Sequence, residues 1–580
     1  MKLTGLLFAA ALLGSCTQPA AEENYTRHVD PKIGTGGHGH VFVGANVPFG
    51  LVQVGPTSIP QTWDWCSGYH ASDSTVIGFS HTHLSGTGIG DLFDVTVMPV
   101  TGEVTYARGE EADPASGLWS YADRTQEIAR PGYYSVPLTR YGIRAELTAT
   151  ARVGLHRYTF PASEKAAVVF DLENGGCWDK ATETHLAKEG DRTVTGWRHS
   201  TGWAKDQRVY FVAEFSKPFE KFETIGDNYA RASFRTTDGE QVSLKVALSP
   251  VSVEGARENL AAELPGWDFE ETAKAADKAW NAELSKVKIE TADETARRIF
   301  YTALYHTMIA PSLFCDVNGD YYGSDHAIHR NADFTNYTTF SLWDTYRAAM
   351  PLMTVLHPEK MADIVQTMLH IADEQGRLPV WHLWGNETDC MVGNPGIVAV
   401  ADAIVKGIGG FDREKAFEAI RKTAMNPDRG NGLRMEYGYI PCEMFNEAVA
   451  YDMEYALADG AAARAAETLG KAEDAKYFEE RSHSYRNYFD PATRFMRGRD
   501  SRKGWRTPFN AFASTHRADD YCEGNAWQYT WLAPHDVKGL EGLFGSRAKM
   551  IEKLDSLFTV SSVIEGGETS PDISGLIGQY

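Results

Sequence analysis

The sequence has no excess of basic charge, no low-complexity segment and no long hydrophobic run beyond its first residues. It carries 56 Lys and Arg against 78 Asp and Glu, a formal net charge of -22. Nucleic-acid phosphates attract surplus Lys and Arg, so this balance excludes a nucleic-acid partner. No internal stretch is apolar enough over about 20 residues to cross a membrane as a helix. No G-x-G-x-x-G turn opens a helix after a strand, which excludes a dinucleotide-binding fingerprint.

Cysteines are few and widely spaced. No two of the seven form a C-x-x-C pair, which excludes a zinc ribbon and a dithiol redox motif. Besides Cys16, they are Cys66, Cys177, Cys315, Cys390, Cys442 and Cys522. An oxidising compartment would allow one or two pairs, and buried free thiols fit the sequence equally well.

The first residues predict export. Lys2 precedes an apolar run, and the run ends in Leu13-Gly14-Ser15-Cys16. This arrangement resembles a bacterial lipoprotein signal over residues 1–16, in which Cys16 becomes the lipidated first residue; an ordinary secretory signal is the alternative. The lipoprotein interpretation predicts a periplasmic or outer-membrane-anchored protein of a bacterium that touches the membrane only through its lipid.

The rest of the chain divides into two halves with different residue patterns. A chain of 580 residues is too long for one hydrophobic core. Residues 27–266 contain short alternating apolar runs separated by turn residues, which predicts a β-sandwich. Residues 267–290 are predicted to be a helical linker. Residues 291–580 repeat apolar residues at helical spacing between loops rich in Gly, Pro, Trp and His, which favours an (α/α) barrel.

One stretch of the second half concentrates chemistry suited to sugars. It is Asp520-Tyr521-Cys522-Glu523-Gly524-Asn525-Ala526-Trp527-Gln528-Tyr529-Thr530-Trp531. Aromatic faces stack on sugar rings, and Glu, Asn and Gln hydrogen-bond their hydroxyls. A Glu enclosed by aromatic rings loses hydration, which raises its pKa and suits Glu523 to act as a general acid in glycoside cleavage. The alternative is an amphipathic helix start whose aromatic residues lie in the core.

Three other loops combine aromatic rings with carboxylates. They are Trp343-Asp344-Thr345-Tyr346-Arg347, Trp381-His382-Leu383-Trp384-Gly385-Asn386-Glu387 and Tyr437-Gly438-Tyr439-Ile440-Pro441-Cys442-Glu443. Each alone could be packing, and Asp344 with Arg347 could be an ordinary helical ion pair. Four such loops at the helix ends of one barrel are better explained by a shared cleft.

Four histidines of the first half form two H-x-H pairs, His38 with His40 and His81 with His83. Imidazoles are common zinc ligands, but no Glu or Cys stands at an accompanying ligand spacing. We therefore favour a structural or interdomain hydrogen-bond network over a metal site. The sequence leaves the identity of any metal ligand unknown.

The chain resembles glycoside hydrolase family 92, the calcium-dependent exo-acting α-mannosidases, from near Val29 to its last residue. The motifs that carry the resemblance are Gly78-Phe79-Ser80-His81-Thr82-His83-Leu84-Ser85-Gly86, Ser341-Leu342-Trp343-Asp344-Thr345-Tyr346-Arg347, Leu383-Trp384-Gly385-Asn386-Glu387 and Tyr521-Cys522-Glu523-Gly524-Asn525-Ala526-Trp527-Gln528-Tyr529. The resemblance implies a β-sandwich packed on an (α/α)6 barrel, and hydrolysis by single displacement with inversion at the anomeric carbon.

The resemblance also implies roles for individual residues. Glu523 aligns with the family's general acid and Asp344 with a sugar-binding aspartate. Trp381 would line the same terminal-mannose pocket, with Trp63 or Trp65 reaching in from the sandwich. Further substrate contacts are predicted for Trp343, Arg347, Asn386, Glu387 and Gln528. A calcium ion, Ca2+, is implied to grip two mannose hydroxyls and help flatten the ring toward its transition state.

The family's sequence continues past the match at Gly578-Gln579-Tyr580, so the resemblance implies an incomplete barrel in this chain. The general base and the calcium ligands are expected in that continuation, and Asp344 and Glu387 are the internal alternatives for the base. We therefore expect the 580-residue chain to be inactive or nearly so. The expected activity of the whole protein is exo-hydrolysis of terminal α-linked mannose, mainly α-1,2, from N-glycans or yeast mannan. The alternative is a non-catalytic cell-surface lipoprotein that binds mannan or other glycans.

Overall fold

The structure is a computed structural model that describes residues 23–59, 62–515, 517–563 and 565. The predicted signal segment with Cys16, and the sequence from residue 566 to Tyr580, lie outside the described residues. Every helix in the described ranges is too short or too polar to traverse a lipid bilayer.

The first half folds into two antiparallel sheets. Its strands are β1 (Ala45–Asn46), β2 (Gln53–Thr57), β3 (Thr75–Val76), β4 (Gly78–Ser80), β5 (Thr96–Thr101), β6 (Ser120–Tyr121), β7 (Ile128–Arg130), β8 (Tyr133–Leu138), β9 (Ile143–Ala149), β10 (Val153–Phe160), β11 (Ser163–Asp171), β12 (Lys180–Glu189), β13 (Thr193–Thr201), β14 (Gln207–Phe215), β15 (Lys221–Ile225), β16 (Tyr229–Thr236) and β17 (Glu240–Ser249). One sheet has the order β1-β2-β4-β5-β11-β16-β15, and the other has the order β12-β13-β14-β17-β10-β9-β8-β7.

Alternating side chains explain why the two sheets stack. In β14, Val209, Phe211 and Phe215 are buried, while Arg208 and Glu214 remain partly exposed. Successive residues of a strand point to opposite faces, so one face of β14 joins the core. Burying each such aromatic side chain stabilises the fold by roughly 1.5–3 kcal/mol. The predicted β-sandwich is confirmed.

The second half is helical with short strand pairs in its loops. Its helices are α1 (Val253–Glu263), α2 (Phe269–Leu284), α3 (Glu294–His306), α4 (Leu342–Thr345), α5 (Ala349–Leu356), α6 (Pro358–Gln375), α7 (Pro395–Val405), α8 (Arg413–Ala424), α9 (Asn431–Tyr437), α10 (Ala448–Thr468), α11 (Ala472–Arg481), α12 (Ala526–Tyr529), α13 (Val537–Phe544) and α14 (Arg547–Leu557). Its strands are β18 (Ser312–Leu313), β19 (Tyr321–Tyr322), β20 (Ile328–His329), β21 (Tyr337–Thr338), β22 (Phe340–Ser341), β23 (Trp381–Leu383), β24 (Asn386–Glu387), β25 (Phe489–Asp490) and β26 (Phe495–Met496).

Helix α10 is the centre of the helical domain. It is buried along most of its length and is rich in alanine. It packs against α7, α8 and α11, since small side chains let neighbouring helices approach closely. A helix that is buried on most sides belongs in the interior of a larger helical assembly, as the barrel prediction requires.

The boundary between the halves differs from the predicted one. The last sandwich strand ends at Ser249, and α1 packs Ala256 and Leu260 against Val212 and Ala247 of the sheet. The predicted sandwich segment 27–266 therefore includes a helix on its outer face. This helix was missed because its apolar side is narrow and largely alanine. Helix α2 occupies most of the predicted linker 267–290.

The two domains share backbone hydrogen bonds and a core. The Phe49 N–H donates to the Met308 carbonyl at 2.8 Å, and the Leu313 N–H donates to the Phe49 carbonyl at 2.9 Å. Trp381 and Trp384 of the helical domain join the hydrophobic core of the sandwich. The seam between the domains is therefore fixed, and side chains from both sides can form one rigid site.

The six cysteines of the described residues are free thiols: Cys66, Cys177, Cys315, Cys390, Cys442 and Cys522. Of the two alternatives from the sequence, the structure shows unpaired thiols. Burial raises the pKa of Cys390 to about 11, which keeps this thiol protonated and weakly reactive.

Candidate active site

A cavity of about 430 Å³ lies at the seam between the domains. The sandwich contributes His38, His40, Trp63, Thr87, Trp178 and Trp203 to its lining, and the helical domain contributes Ser341, Asp344, Trp381, Cys390, Met391, Arg517 and Glu523. Of the residues predicted from the sequence, Glu523, Asp344, Trp63 and Trp381 meet here. Tryptophan faces with a few convergent polar groups are a surface on which a sugar ring binds.

Trp203 and Trp381 form an aromatic corner across the seam. Their ring centroids are 4.7 Å apart and their planes stand at 87°. Asp91 fixes the Trp203 loop by accepting the backbone N–H of Trp203 at 2.9 Å and of Ala204 at 2.8 Å. Burial raises the pKa of Asp91, and these hydrogen bonds offset part of that cost. The corner is therefore held in place without a ligand.

Trp63 and Trp178 lie directly on a glycine-rich backbone. Trp63 Nε1 donates to the Gly88 carbonyl at 3.1 Å. A Cβ atom on Gly88 would come within 2.7 Å of Trp63 Nε1, and one on Gly90 within 3.0 Å of the Trp178 ring. Only glycine allows this approach, which explains the glycine run that follows the second H-x-H pair.

Asp344 faces the cavity from the short helix α4. Ser341 Oγ donates a hydrogen bond to Asp344 Oδ2. The carboxylate is open to the cavity yet surrounded by protein, and this loss of hydration raises its pKa. Its oxygens are well placed to accept hydrogen bonds from sugar hydroxyls.

A buried glutamate holds the α4 turn in position. Glu454 of α10 accepts hydrogen bonds from Trp343 Nε1 at 3.0 Å and from Tyr346 Oη at 2.7 Å, and it pairs with Arg347. The Arg347 guanidinium thus forms its ion pair with Glu454. The helical ion pair with Asp344 was the alternative considered from the sequence. The structure places Trp343 and Arg347 outside the cavity lining, where they orient the turn that carries Asp344.

Glu523 faces the cavity from the loop before α12 and is half-buried. Its φ of 47° lies in the left-handed region, which costs a non-glycine residue roughly 1–2 kcal/mol. Tyr529 Oη donates to the Cys522 carbonyl at 2.7 Å and so fixes the adjoining peptide. Three other lining residues that are not glycine have positive φ: His40, Met391 and Arg517. Strained backbone held by its surroundings is typical of functional sites.

The aromatic residues that follow Glu523 belong to the core. Trp527 is buried and packs edge-on against Phe495, with centroids 4.8 Å apart. Asn525 caps α12 by accepting the Trp527 N–H at 3.0 Å, and Gln528 Oε1 accepts the Asn525 N–H at 2.9 Å. These aromatic rings follow the alternative interpretation from the sequence, which is a helix start whose aromatic residues lie in the core. The structure gives Gln528 a capping contact at the helix start.

Glu387 lies beneath the aromatic corner. Its Oε1 accepts the N–H of Trp381 at 2.9 Å and of Asp389 at 3.0 Å, and its Oε2 accepts the N–H of Val380 at 2.8 Å. Since backbone donors engage both oxygens, Glu387 positions Trp381 and is poorly placed to take a proton from water. Of the two internal candidates for a general base, the cavity lining includes Asp344.

Asn386 and Trp65 also make structural contacts. Asn386 makes two hydrogen bonds to the backbone of Asp206 in the sandwich. Its Oδ1 accepts the Asp206 N–H at 3.0 Å, and its Nδ2 donates to the Asp206 carbonyl at 2.8 Å. Trp65 Nε1 donates to Asp73 at 2.9 Å, and its ring stacks on His70 with centroids 4.6 Å apart. Of the two alternatives, Trp63 and Trp65, the residue that lines the cavity is Trp63.

The second H-x-H pair lies inside the sandwich. His81 Nε2 is 2.8 Å from His156 Nε2, and His83 Nδ1 is 2.7 Å from the Gln53 carbonyl. Burial lowers the pKa of His81 to about 4 and of His83 to about 3, so both rings are neutral. Their surroundings are a buried hydrogen-bond network.

The first H-x-H pair borders the cavity. His38 Nδ1 is 2.5 Å from Asp64 Oδ1, and the His40 ring stands edge-on to Trp63 with centroids 4.2 Å apart. These contacts support the Trp63 ring from one side and give the cavity mouth a polar rim.

A second recess of about 620 Å³ adjoins the cavity and shares Glu523 and Arg517 with it. Asp389, Glu443 and Glu447 line this recess. Burial raises the pKa of Glu447, and its Oε1 has no hydrogen-bond partner among the described residues. A buried carboxylate oxygen in this state favours a sugar hydroxyl or a cation as a partner.

Sequence reasoning missed Trp178, Trp203 and Glu454. Trp178 follows Gly175-Gly176 by two residues and Trp203 directly follows Gly202, and that placement beside glycine was the available signal. Glu454 sits in an alanine-rich helix and gave no signal, because its role depends on contacts with residues more than a hundred positions away.

The fold and the cavity define a two-domain enzyme that acts on carbohydrate. The family model of the glycosyl hydrolase family 92 N-terminal domain matches residues 28–249, and that of the family 92 catalytic domain matches residues 255–580. The chain belongs to glycosyl hydrolase family 92 and is a glycoside hydrolase. The predicted family, enzyme class and fold class are confirmed.

Two solved structures and one curated protein are similar to the chain. The family GH92 α-mannosidase BT3965 of Bacteroides thetaiotaomicron, in complex with mannoimidazole, is 39% identical with a TM-score of 0.89, over 93% of this chain and 74% of that one. The GH92 inverting mannosidase BT2199 of Bacteroides thetaiotaomicron VPI-5482 is 30% identical with a TM-score of 0.84, over 93% and 75%. An uncharacterized secreted glycosidase of Arthroderma benhamiae is 26% identical over 97% of this chain and 78% of its own length.

Proposed function

We propose that the enzyme removes terminal α-linked mannose with inversion at the anomeric carbon. α-1,2-Linked mannose of N-glycans or yeast mannan is the proposed substrate. The similar structures support this, since one is an α-mannosidase with bound mannoimidazole and the other is an inverting mannosidase. The observation that carries the proposal is the convergence of Asp344 and Glu523 on one tryptophan-walled cavity, although they lie far apart in sequence.

The residues of the cavity divide the proposed chemistry between them. Glu523 donates a proton to the leaving oxygen, and Asp344 accepts hydrogen bonds from the sugar hydroxyls. Trp63 and Trp381 offer stacking surfaces and exclude water. Inversion requires a second carboxylate across a water, roughly 6.5–9.5 Å from the acid. We propose that this base lies outside the described residues, and Asp344 is the alternative within the cavity.

Calcium is the proposed cofactor, and the donor chemistry fits it. Calcium takes carboxylate and carbonyl oxygens, and the recess beside Glu523 holds several carboxylates, among them the Glu447 oxygen without a hydrogen-bond partner in the described residues. Glu447 is the described residue that we propose as a ligand. Bound there, the ion would polarise sugar hydroxyls.

The secreted relative supports export of the chain. We propose that export follows the lipoprotein route, with Cys16 as the lipidated residue. Metabolic labelling with a fatty-acid probe tests this. Label on the wild-type protein and none on Cys16→Ser is expected, and equal labelling of both would contradict the anchor.

The activity is tested by release of free mannose from α-linked mannobiosides of different linkages. The assay uses the 580-residue chain and a chain lengthened beyond Tyr580, because this chain covers only 74% and 75% of the two solved relatives. We expect turnover by the lengthened chain, loss on chelation, and recovery with Ca2+. Turnover that survives complete calcium removal would contradict the cofactor. Tight mannoside binding without turnover by the lengthened chain would instead support the non-catalytic glycan-binding alternative.

A further inference from the structure

A histidine and two carboxylates converge at a place separate from the cavity. Asp325 and His329 belong to the β19–β20 hairpin, and Glu374 lies near the end of α6. Their ligand atoms all lie within 4.8 Å of one another. His329 Nε2 is 3.1 Å and 3.2 Å from the two Asp325 oxygens and 3.4 Å from Glu374 Oε1.

The geometry around the His329 ring suits a cation better than a proton. A protonated imidazole has a single N–H at Nε2, and it points along one line in the ring plane. Here three oxygens from two carboxylates face that one nitrogen. A metal ion attracts all of them without regard to direction. Metal–ligand distances of about 2.0–2.2 Å place neighbouring donor atoms roughly 3.0–3.4 Å apart, and the three distances from His329 Nε2 lie in this range.

Outer contacts hold the three side chains in this arrangement. Tyr321 Oη donates to Glu374 Oε1 at 2.9 Å, and the Ser324 N–H donates to Glu374 Oε2 at 2.7 Å. The His329 ring stacks flat on Tyr321, with centroids 4.8 Å apart and planes at 9°. Such a second layer of contacts is what orients the ligands of a metal site.

The space beside the cluster is kept clear by glycine. A Cβ atom on Gly323 would lie 2.7 Å from both Asp325 Oδ1 and His329 Nε2. Any other residue would therefore push into the donor atoms. Asp325 and His329 are about one-third exposed, which leaves an entry path and open positions for water.

We propose that Asp325, His329 and Glu374 bind a divalent transition metal of the zinc class, with water completing the shell. One imidazole with two carboxylates suits zinc, manganese or iron, whereas calcium and magnesium prefer oxygen ligands alone. This site is distinct from the calcium proposed for the reaction. It joins the β19–β20 hairpin to α6, and its role is structural.

The site also supports the aromatic corner indirectly. Ser324 Oγ lies 3.1 Å from His382 Nε2, and His382 follows Trp381 in β23. A metal that fixes the hairpin therefore steadies the strand that presents Trp381. This effect on the wall of the cavity is secondary to the binding itself.

The test uses the full 580-residue chain, freed of metal by chelation and titrated with zinc chloride in a calorimeter. One equivalent is expected to bind, and zinc should slow amide hydrogen exchange in residues 321–329. His329→Gln should weaken this binding by roughly ten-fold or more, since even the loss of an outer contact commonly costs that much. His326→Gln, in the same hairpin, and His38→Gln, at a histidine–carboxylate contact in the sandwich, are matched controls that should bind zinc like the wild type.

Two results would overturn the proposal. One is the absence of saturable zinc binding to the wild-type chain, which would leave an ordinary hydrogen-bonded histidine. The other is equal zinc affinity of His329→Gln and the wild type, which would place the binding elsewhere. Should His329→Gln fail to fold, protection of residues 321–329 by zinc in the wild type decides the question, and unchanged exchange there would contradict the site.

Discussion

The two walls of the cavity are built by different means. The sandwich wall presents tryptophan rings that rest on glycine backbone and on buried polar groups such as Asp91. The helical wall presents Asp344 and Glu523, one on a turn anchored by Glu454 and one on a backbone with φ of 47°. Shape therefore comes mainly from the rigid sheet domain, and charge comes from loops between helices. Changes on the helical wall should alter the chemistry, and changes on the sandwich wall should alter binding and stability.

The largest expected effect is on the helical wall. Glu523→Gln removes the proposed proton donor and should lower turnover of an α-linked mannobioside by about 10²–10⁴-fold. The measurement is kcat in whichever form of the chain cleaves mannobiosides. Glu467→Gln is the control, because Glu467 pairs with Arg464 on the surface of α10 and lines neither the cavity nor the recess. An equal loss in both variants would mean that general charge, and not Glu523, drives the reaction.

The buried histidines of the sandwich should make the fold sensitive to acid. Burial holds the pKa of His81 near 4 and of His83 near 3, so the unfolded chain, with ordinary values near 6.5, binds protons first. Stability should then fall as the pH drops below about 6.5 and continue to fall toward about 4. Between pH 7 and pH 5 the expected loss is roughly 2 kcal/mol for each histidine.

Chemical denaturation at a series of pH values measures this loss. His81→Gln should flatten the dependence in proportion. A stability that is flat between pH 7 and pH 5 would show that the buried rings already carry a proton in the folded state.

Asp344→Asn tests the binding role on the helical wall. Replacing the charged acceptor should weaken hydrogen bonds to sugar hydroxyls by about 1.5–3 kcal/mol, which is a roughly ten-fold to hundred-fold rise in KM. Asp402→Asn, a carboxylate of α7 that pairs with Lys406 outside the cavity lining, is the control and should change KM little. A large fall in kcat with unchanged KM for Asp344→Asn would instead assign Asp344 to the chemical step.

The smallest expected effect separates two tryptophans of the sandwich. Trp203→Ala removes part of the aromatic corner and should weaken mannoside binding by a few-fold to about ten-fold. Trp65→Ala, whose ring stacks on His70 away from the cavity, should lower the melting temperature with no change in mannoside affinity. Equal effects of the two variants on affinity would contradict the assignment of Trp203 to the cavity lining and of Trp65 to a structural role.

Sequence patterns were sufficient for the architecture. Period-two alternation found strands such as β14, and helical spacing found long helices such as α6 and α8, because these patterns follow directly from which face is buried. They failed for α1, whose apolar side is mostly alanine and gives little contrast. The local residue pattern does not indicate which sheet a helix with a narrow apolar side packs against.

The site was harder to predict because the identity of a residue does not fix the direction in which its side chain points. Glu523 and Glu387 both stand in motifs of carboxylate and aromatic residues, yet one faces the cavity and the other is surrounded by backbone N–H groups. Trp63 and Trp65 are two residues apart and make different contacts. Such differences arise from turns with unusual φ and from partners far along the chain, which a single sequence does not reveal.

The most direct test of the account compares two leaving groups in Glu523→Gln. A sugar leaves as a poor alkoxide and needs a proton, whereas dinitrophenolate leaves without help. The account predicts a severe loss of kcat on an α-linked mannobioside and a rate on dinitrophenyl α-mannoside close to that of the wild type. Equal losses on both substrates, in a variant that melts like the wild type, would contradict the role of Glu523 as the proton donor.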